Sequence, residues 1–113
     1  MEKFILLFRG SDVYESSQPP EALQILTVKM IDWVGDLIKN DKHVSSEKWQ
    51  RSGKKVSGAM KIVDENPFGE AHEIIGGCTI ILARDFDEAV IIAKACPILE
   101  THATIEIRAI QSV

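Results

Sequence analysis

Residues 76–97 of the chain read GGCTIILARDFDEAVIIAKACP, and this stretch decides the fold class. Cys78–Ala83 is short and almost wholly apolar, which favours a strand that is buried on both faces. Asp85 is placed to cap the following segment, Glu88 stands three residues later, and Pro97 ends it, so a helix is predicted. A buried strand that leads straight into an amphipathic helix is typical of an α+β unit.

The rest of the chain extends this pattern in both directions. Lys3–Arg9 (KFILLFR) is a short apolar run typical of a central strand, and Thr104–Ile110 alternates apolar with polar residues as a terminal strand does. Apolar residues recur every three or four positions from Glu21 to Asn40, which predicts one long amphipathic helix. Its predicted buried stripe consists of Leu23, Leu26, Met30, Trp33 and Leu37, widened by Ile31, Val34 and Ile38. Weaker strand patterns in His43–Gln50 and Lys55–Val63, with Gly53 between them, predict a hairpin.

This order of elements predicts a single domain over residues 1–113 with a ferredoxin-like, split βαβ sheet and both helices on one face. A strand such as Phe4–Phe8 is apolar on both sides, so a monomer would expose the second face of the sheet. Pairing of two such faces in a symmetric dimer covers them, and we therefore expect a homodimer.

Composition and charge argue against several classes of partner. Thirteen Lys and Arg against seventeen Asp and Glu give a net charge of −4, which disfavours nucleic acid. The apolar runs are too short to cross a membrane and the start of the chain lacks a signal-peptide pattern, so we expect a cytoplasmic protein. Cys78 and Cys96 show no metal-binding or redox spacing and are expected to be buried.

Residues 65–77 read ENPFGEAHEIIGG, and this block resembles the DGPF branch of the YCII-related family. The acidic helix start at 85–89 (DFDEA), the helix end at 95–97 (ACP) and the last strand at 105–108 (IEIR) resemble the same branch. Glu65-Asn66 stands where the branch has Asp-Gly. The resemblance implies a ferredoxin-like unit that dimerises into an α+β barrel. Related branches include a dehydrohalogenating enzyme and a suspected His–Asp pair, whose His lies on the first helix. Residues 21–40 contain no His, so the resemblance transfers no catalytic pair.

The strongest candidate for chemistry is His72, which follows this loop and is flanked by Glu70 and Glu73. A neighbouring carboxylate can orient an imidazole for acid–base work, although an exposed turn with unrelated charges is the alternative. His43 is expected to be structural. No spacing typical of a metal site or a phosphate-binding loop occurs, and we expect no cofactor.

A second set of candidates lies at strand positions. Glu106 and Arg108 share one face of the last strand, where they are predicted either to bind a polar ligand group or to form a salt bridge. Arg9, at the end of the first strand, is a further anion contact, and Trp49 is the expected aromatic wall of a pocket.

The sequence thus predicts a homodimer that binds a small polar molecule, or has a regulatory role, without catalysis. The alternative is a small cofactor-free enzyme for elimination or isomerisation with His72 as its base. A partner-binding module that uses sheet edges or the hairpin is a third possibility.

Overall fold

A computed structural model of the protein describes residues 1–10, 19–65 and 74–111. The described chain forms six strands, two α-helices and a short 3₁₀ helix. In chain order these are β1 (Glu2–Arg9), α1 (Pro20–Lys39), β2 (His43–Lys48), β3 (Lys55–Ser57), β4 (Ile62–Asp64), β5 (Ile75–Ala83), α2 (Phe86–Lys94), the 3₁₀ helix (Pro97–Glu100) and β6 (Thr104–Ala109). Four strands make an antiparallel sheet in the order β2-β5-β1-β6, and β3 pairs with β4 separately. The predicted ferredoxin-like α+β fold is confirmed.

One face of the sheet carries the core because side chains alternate along each strand. Phe4, Leu6 and Phe8 of β1 are buried in one cluster with residues of both helices. The helix α1 contributes Trp33, whose indole Nε1 donates a hydrogen bond to the carbonyl oxygen of Ile92 in α2 at 3.2 Å. Both helices therefore lie on the same face of the sheet, and we refer to the other face as the open face.

The predicted hairpin between residues 43–50 and 55–63 is wrong. The strand β2 pairs instead with β5, with Ser46 opposite Thr79. The segment predicted as one strand reverses direction within itself, because Gly58 adopts a φ of 71° and supplies a turn there. Its two halves become β3 and β4, which pair from Lys55 opposite Asp64 to Ser57 opposite Ile62.

The start of α2 is held by a carboxylate network close to the predicted one. The Asp85 carboxylate accepts a hydrogen bond from the backbone N–H of Glu88 at 2.9 Å. The Glu88 carboxylate accepts one from the backbone N–H of Arg84 at 3.2 Å, one residue before the position that a capping box uses. It also accepts one from Arg84 Nε at 2.8 Å and lies 3.4 Å from Lys42 Nζ. The network joins α2 to the ends of β5 and α1.

Stability in acid is expected to depend on Glu88. Burial by itself would raise the pKa of Glu88, but the hydrogen bonds from Arg84 and Lys42 and the Arg84 charge together hold that pKa below its usual value. A carboxyl with a lowered folded-state pKa stabilises the fold fully above its unfolded pKa, and this contribution is lost as pH falls through the folded pKa. We expect the melting temperature of wild type to fall more than that of Glu88→Gln from about pH 7 to below about pH 4. Circular dichroism melts of both proteins across this range test this, and parallel curves would contradict it.

Candidate functional site

A cavity of about 620 Å³ opens between α1 and the β2–β5 side of the sheet. Its volume lies within the range of small-molecule sites. Most of the walls are apolar, and the large apolar side chains on the α1 side are Leu26, Met30, Ile31, Val34 and Ile38. The sequence pattern placed Ile31 and Ile38 in a buried stripe, but they are 64% and 57% exposed. These two side chains line the cavity without a packing partner from the sheet that would bury them.

Gly35 and Gly77, two of the three glycines that line the same cavity, are glycine for different reasons. A Cβ atom at Gly35, inside α1, would meet no heavy atom within 4 Å. Glycine inside a helix lowers its stability by about 1 kcal/mol relative to alanine. Gly35 therefore makes α1 less stable than alanine would, and its missing side chain leaves space beside the cavity. A Cβ atom at Gly77 in β5 would lie 2.5 Å from the backbone oxygen of Glu47. Gly77 therefore allows the close approach of β2 to β5.

Polar groups line the β2 side of the cavity. The Ser46 hydroxyl lies 2.8 Å from His43 Nε2 and 3.0 Å from the Thr79 hydroxyl. Residues three apart on a regular strand point to opposite faces, but a register shift between His43 and Ser45 brings His43 and Ser46 to the same face. Lys48 also lines the cavity. Of these residues Ser46, Thr79 and Lys48 line the cavity, whereas His43 contacts Ser46 without belonging to the lining, and we call the four residues the β2 polar group.

The predicted strand candidates meet on the open face. Glu106 of β6 accepts a hydrogen bond from Arg9 Nε of β1 at 3.2 Å, and Arg9 Nη2 lies at the same distance from it. Arg108 Nη1 donates to the other oxygen of Glu106 at 3.4 Å. All three residues thus form one charge cluster, which includes an ion pair between Glu106 and Arg108. This cluster and the cavity lie on opposite faces of the sheet.

The YCII-related domain matches residues 13–113 of the chain. The chain belongs to the YCII-related family. No curated protein matches it. The match spans both helices and five of the six strands described above, so the β2 polar group and all of the cavity lining except Phe8 of β1 lie within the matched part of this YCII-related chain.

The remaining predicted site residues are Trp49, His72, Glu70 and Glu73. Trp49 follows β2 and is 41% exposed, and its indole Nε1 donates to the Glu47 carboxylate at 3.4 Å. It does not belong to the lining of the described cavity. His72, Glu70 and Glu73 lie outside the described residues, so the acid–base role of His72 and the ligand contacts of Glu70 and Glu73 stay predictions.

The two cysteines are buried, as expected from the sequence. Burial raises the pKa of the Cys96 thiol to about 11. Burial, and next the charge of Glu47, raise the pKa of the Cys78 thiol. Both thiols are therefore protonated near neutral pH and are poor nucleophiles.

Within residues 1–10, 19–65 and 74–111, no group of three His, Cys, Asp or Glu side chains is arranged to hold a metal ion. No helix in this described part is long and apolar enough to cross a membrane.

The His43–Ser46 contact was missed by sequence reasoning. The spacing of His and Ser by three residues in a strand predicts opposite faces, so only a recognised irregularity could have revealed the pair. Val44, an apolar residue between polar neighbours, stands at that irregularity and is itself 41% exposed. The cavity was likewise missed because an apolar helix stripe predicts burial and not the distance to the facing strand.

Proposed function

We propose that this YCII-related protein binds a small, mainly apolar molecule in the cavity between α1 and the β2–β5 side of the sheet. The observation that carries the proposal is the exposure of Ile31 and Ile38 on the wall of a 620 Å³ cavity. Burying a fully exposed isoleucine side chain contributes about 1.5–3 kcal/mol, so a ligand that covers the exposed parts of both gains a share of that from the walls alone. The proposed activity is binding and not turnover.

We propose further that the protein belongs to the DGPF branch and acts as a homodimer that pairs through its open faces. The support for pairing is the row of apolar side chains on that face. Ile5 and Leu7 of β1 and Ile80 and Leu82 of β5 point away from the helices and are only half-buried. A second copy would cover this face while leaving the cavity on the helix face open to ligand.

Filling the cavity is expected to abolish ligand binding. The Gly35→Phe side chain would occupy space that is empty beside the cavity wall. A compound at 100 times its Kd stabilises the wild-type fold by about 2.7 kcal/mol, which a thermal-shift screen of apolar and amphipathic compounds detects. We expect hits on wild type that lose their effect on Gly35→Phe.

The matched control is Ile91→Phe, which adds an aromatic ring at an exposed position of α2 outside the cavity lining. This variant should respond to the same compounds as wild type. Equal responses of Gly35→Phe and wild type would contradict the proposed site. A screen in which no compound stabilises wild type would contradict the proposed function itself.

A further inference from the structure

We infer that the ligand of the cavity is an apolar molecule with one carboxylate, which the β2 polar group binds. The inference rests on the proposed function and adds the chemistry of the ligand. Its basis is the set of hydrogen-bond donors along one side of a mostly apolar cavity. The apolar part of the ligand would lie against α1, and the carboxylate would lie beside β2.

Cross-strand pairing places these donors on the cavity side of the sheet. Lys48 is opposite Gly77, which is opposite Phe8, and the Phe8 side chain is buried in the core on the helix face. Ser46 is opposite Thr79, which is opposite Leu6 of the same core. Residues that face one another in an antiparallel sheet share a face, so Ser46 and Lys48 stand side by side towards the cavity.

The chemistry of this side of the cavity favours an anion. The Ser46 hydroxyl and the Lys48 ammonium can both donate to a ligand, and an ionised carboxylate only accepts. Glu47 contributes to the lining, but its register partner Cys78 is opposite Leu7 of the open face, and its carboxylate accepts from Trp49. The Thr27 hydroxyl at the helix side already donates to the carbonyl oxygen of Leu23 at 2.8 Å. A ligand cation would instead meet the Lys48 ammonium.

The hydroxyl of Ser46 is the centre of this arrangement. Thr79 is only 1% exposed, so its hydroxyl bonds to Ser46 from within the sheet. His43 Nε2 also lies 2.8 Å from the Ser46 hydroxyl. When His43 Nε2 carries a hydrogen and donates to Ser46, and the Thr79 hydroxyl donates to Ser46 as well, the Ser46 hydrogen is left to donate to a ligand carboxylate. His43 is thus a positioning residue that acts through Ser46.

Three ligands with the same chain and different head groups test the inference. Decanoate, 1-decanol and decylamine are titrated into the wild-type protein, and binding is measured by calorimetry. The pH is near 7, where the acid is ionised and the amine is protonated. We expect decanoate to bind about tenfold more tightly than decanol, because a hydrogen bond to a charged group is worth more than a neutral one. Decylamine should bind most weakly.

Variants locate the origin of this preference. Ser46→Ala and Lys48→Met should each lower the decanoate-to-decanol ratio roughly fivefold. Ser45→Ala is the matched control, since Ser45 is opposite Ile80 on the open face. His43→Ala should lower the same ratio while decanol affinity stays unchanged, and His43→Gln should restore the ratio because its amide also donates.

The outcomes separate the two proposals. Equal affinity for all three ligands would overturn the carboxylate inference and leave the apolar binding site intact. A preference that persists in both Ser46→Ala and Lys48→Met would also overturn it, since the donors would then lie elsewhere. Failure of all three ligands to bind would overturn the inference together with the proposed function.

Discussion

Gly77→Ala is expected to lower the free energy of unfolding by about 3 kcal/mol, at the upper end of the usual cost of overpacking. The added Cβ would lie 2.5 Å from the backbone oxygen of Glu47 and 3.3 Å from the Cα of Lys48. Both are backbone atoms, so no side-chain rotation relieves the contact. The strand β2 would have to move away from β5, and Ser46 would lose its contact with Thr79. Urea unfolding of wild type and variant measures the difference.

The same substitution at Gly35 serves as the control and should have the opposite sign. Gly35→Ala adds one methyl group inside α1, where no heavy atom lies within 4 Å. Alanine restricts the unfolded chain and favours the helix, so the free energy of unfolding should rise by about 0.5–1 kcal/mol. Similar destabilisation by both substitutions would show that close approach of β2 is not the reason for glycine at position 77.

The elements that sequence reasoning predicted well are those with a long, regular apolar pattern. The helix predicted from Glu21 to Asn40 is observed as Pro20–Lys39, because its repeat extends over five turns. The last strand, predicted as Thr104–Ile110, is observed as Thr104–Ala109, because its apolar and polar residues alternate regularly. The strand β2 was found, but its partner was not, since a mostly polar edge strand carries little information about a strand that is about thirty residues away.

The candidate site likewise contains features that a local sequence pattern predicts and features that it does not. A period of two correctly put Glu106 and Arg108 on one face of β6, and Arg9 meets them there because β1 is the neighbouring strand. The cavity depends on the spacing between α1 and β2, which is a tertiary distance that no local pattern encodes. The contact of His43 with Ser46 depends on one extra residue in β2, and that irregularity reverses the face on which His43 lies.

The open face has an apolar centre and charged residues towards one edge. Ile5 is opposite Ile80 in the two central strands of the sheet, which places apolar side chains at the middle of this face. The cluster of Arg9, Glu106 and Arg108 lies towards the edge strand β6. An apolar centre with charged residues towards the rim is the usual organisation of a stable interface. The proposed homodimer would therefore place Ile80 at the centre of the buried area.

If the protein forms the proposed dimer, Ile80→Asp is accordingly expected to convert it to a folded monomer. Symmetry introduces the carboxylate twice into one interface, where each charge would lose water without gaining a partner. We expect the dimer Kd to rise at least about 1,000-fold, which corresponds to about 4 kcal/mol. Light scattering after size-exclusion chromatography gives the mass, and circular dichroism checks that the monomer is folded.

Ile91→Asp, at a side chain that is 67% exposed on α2, is the matched control and should remain dimeric. A wild-type protein that elutes as a monomer, or a dimeric Ile80→Asp, would exclude the open face as the interface. Because the cavity lies on the other face, the monomeric variant should still bind the ligands of wild type, which makes assembly and binding separately measurable.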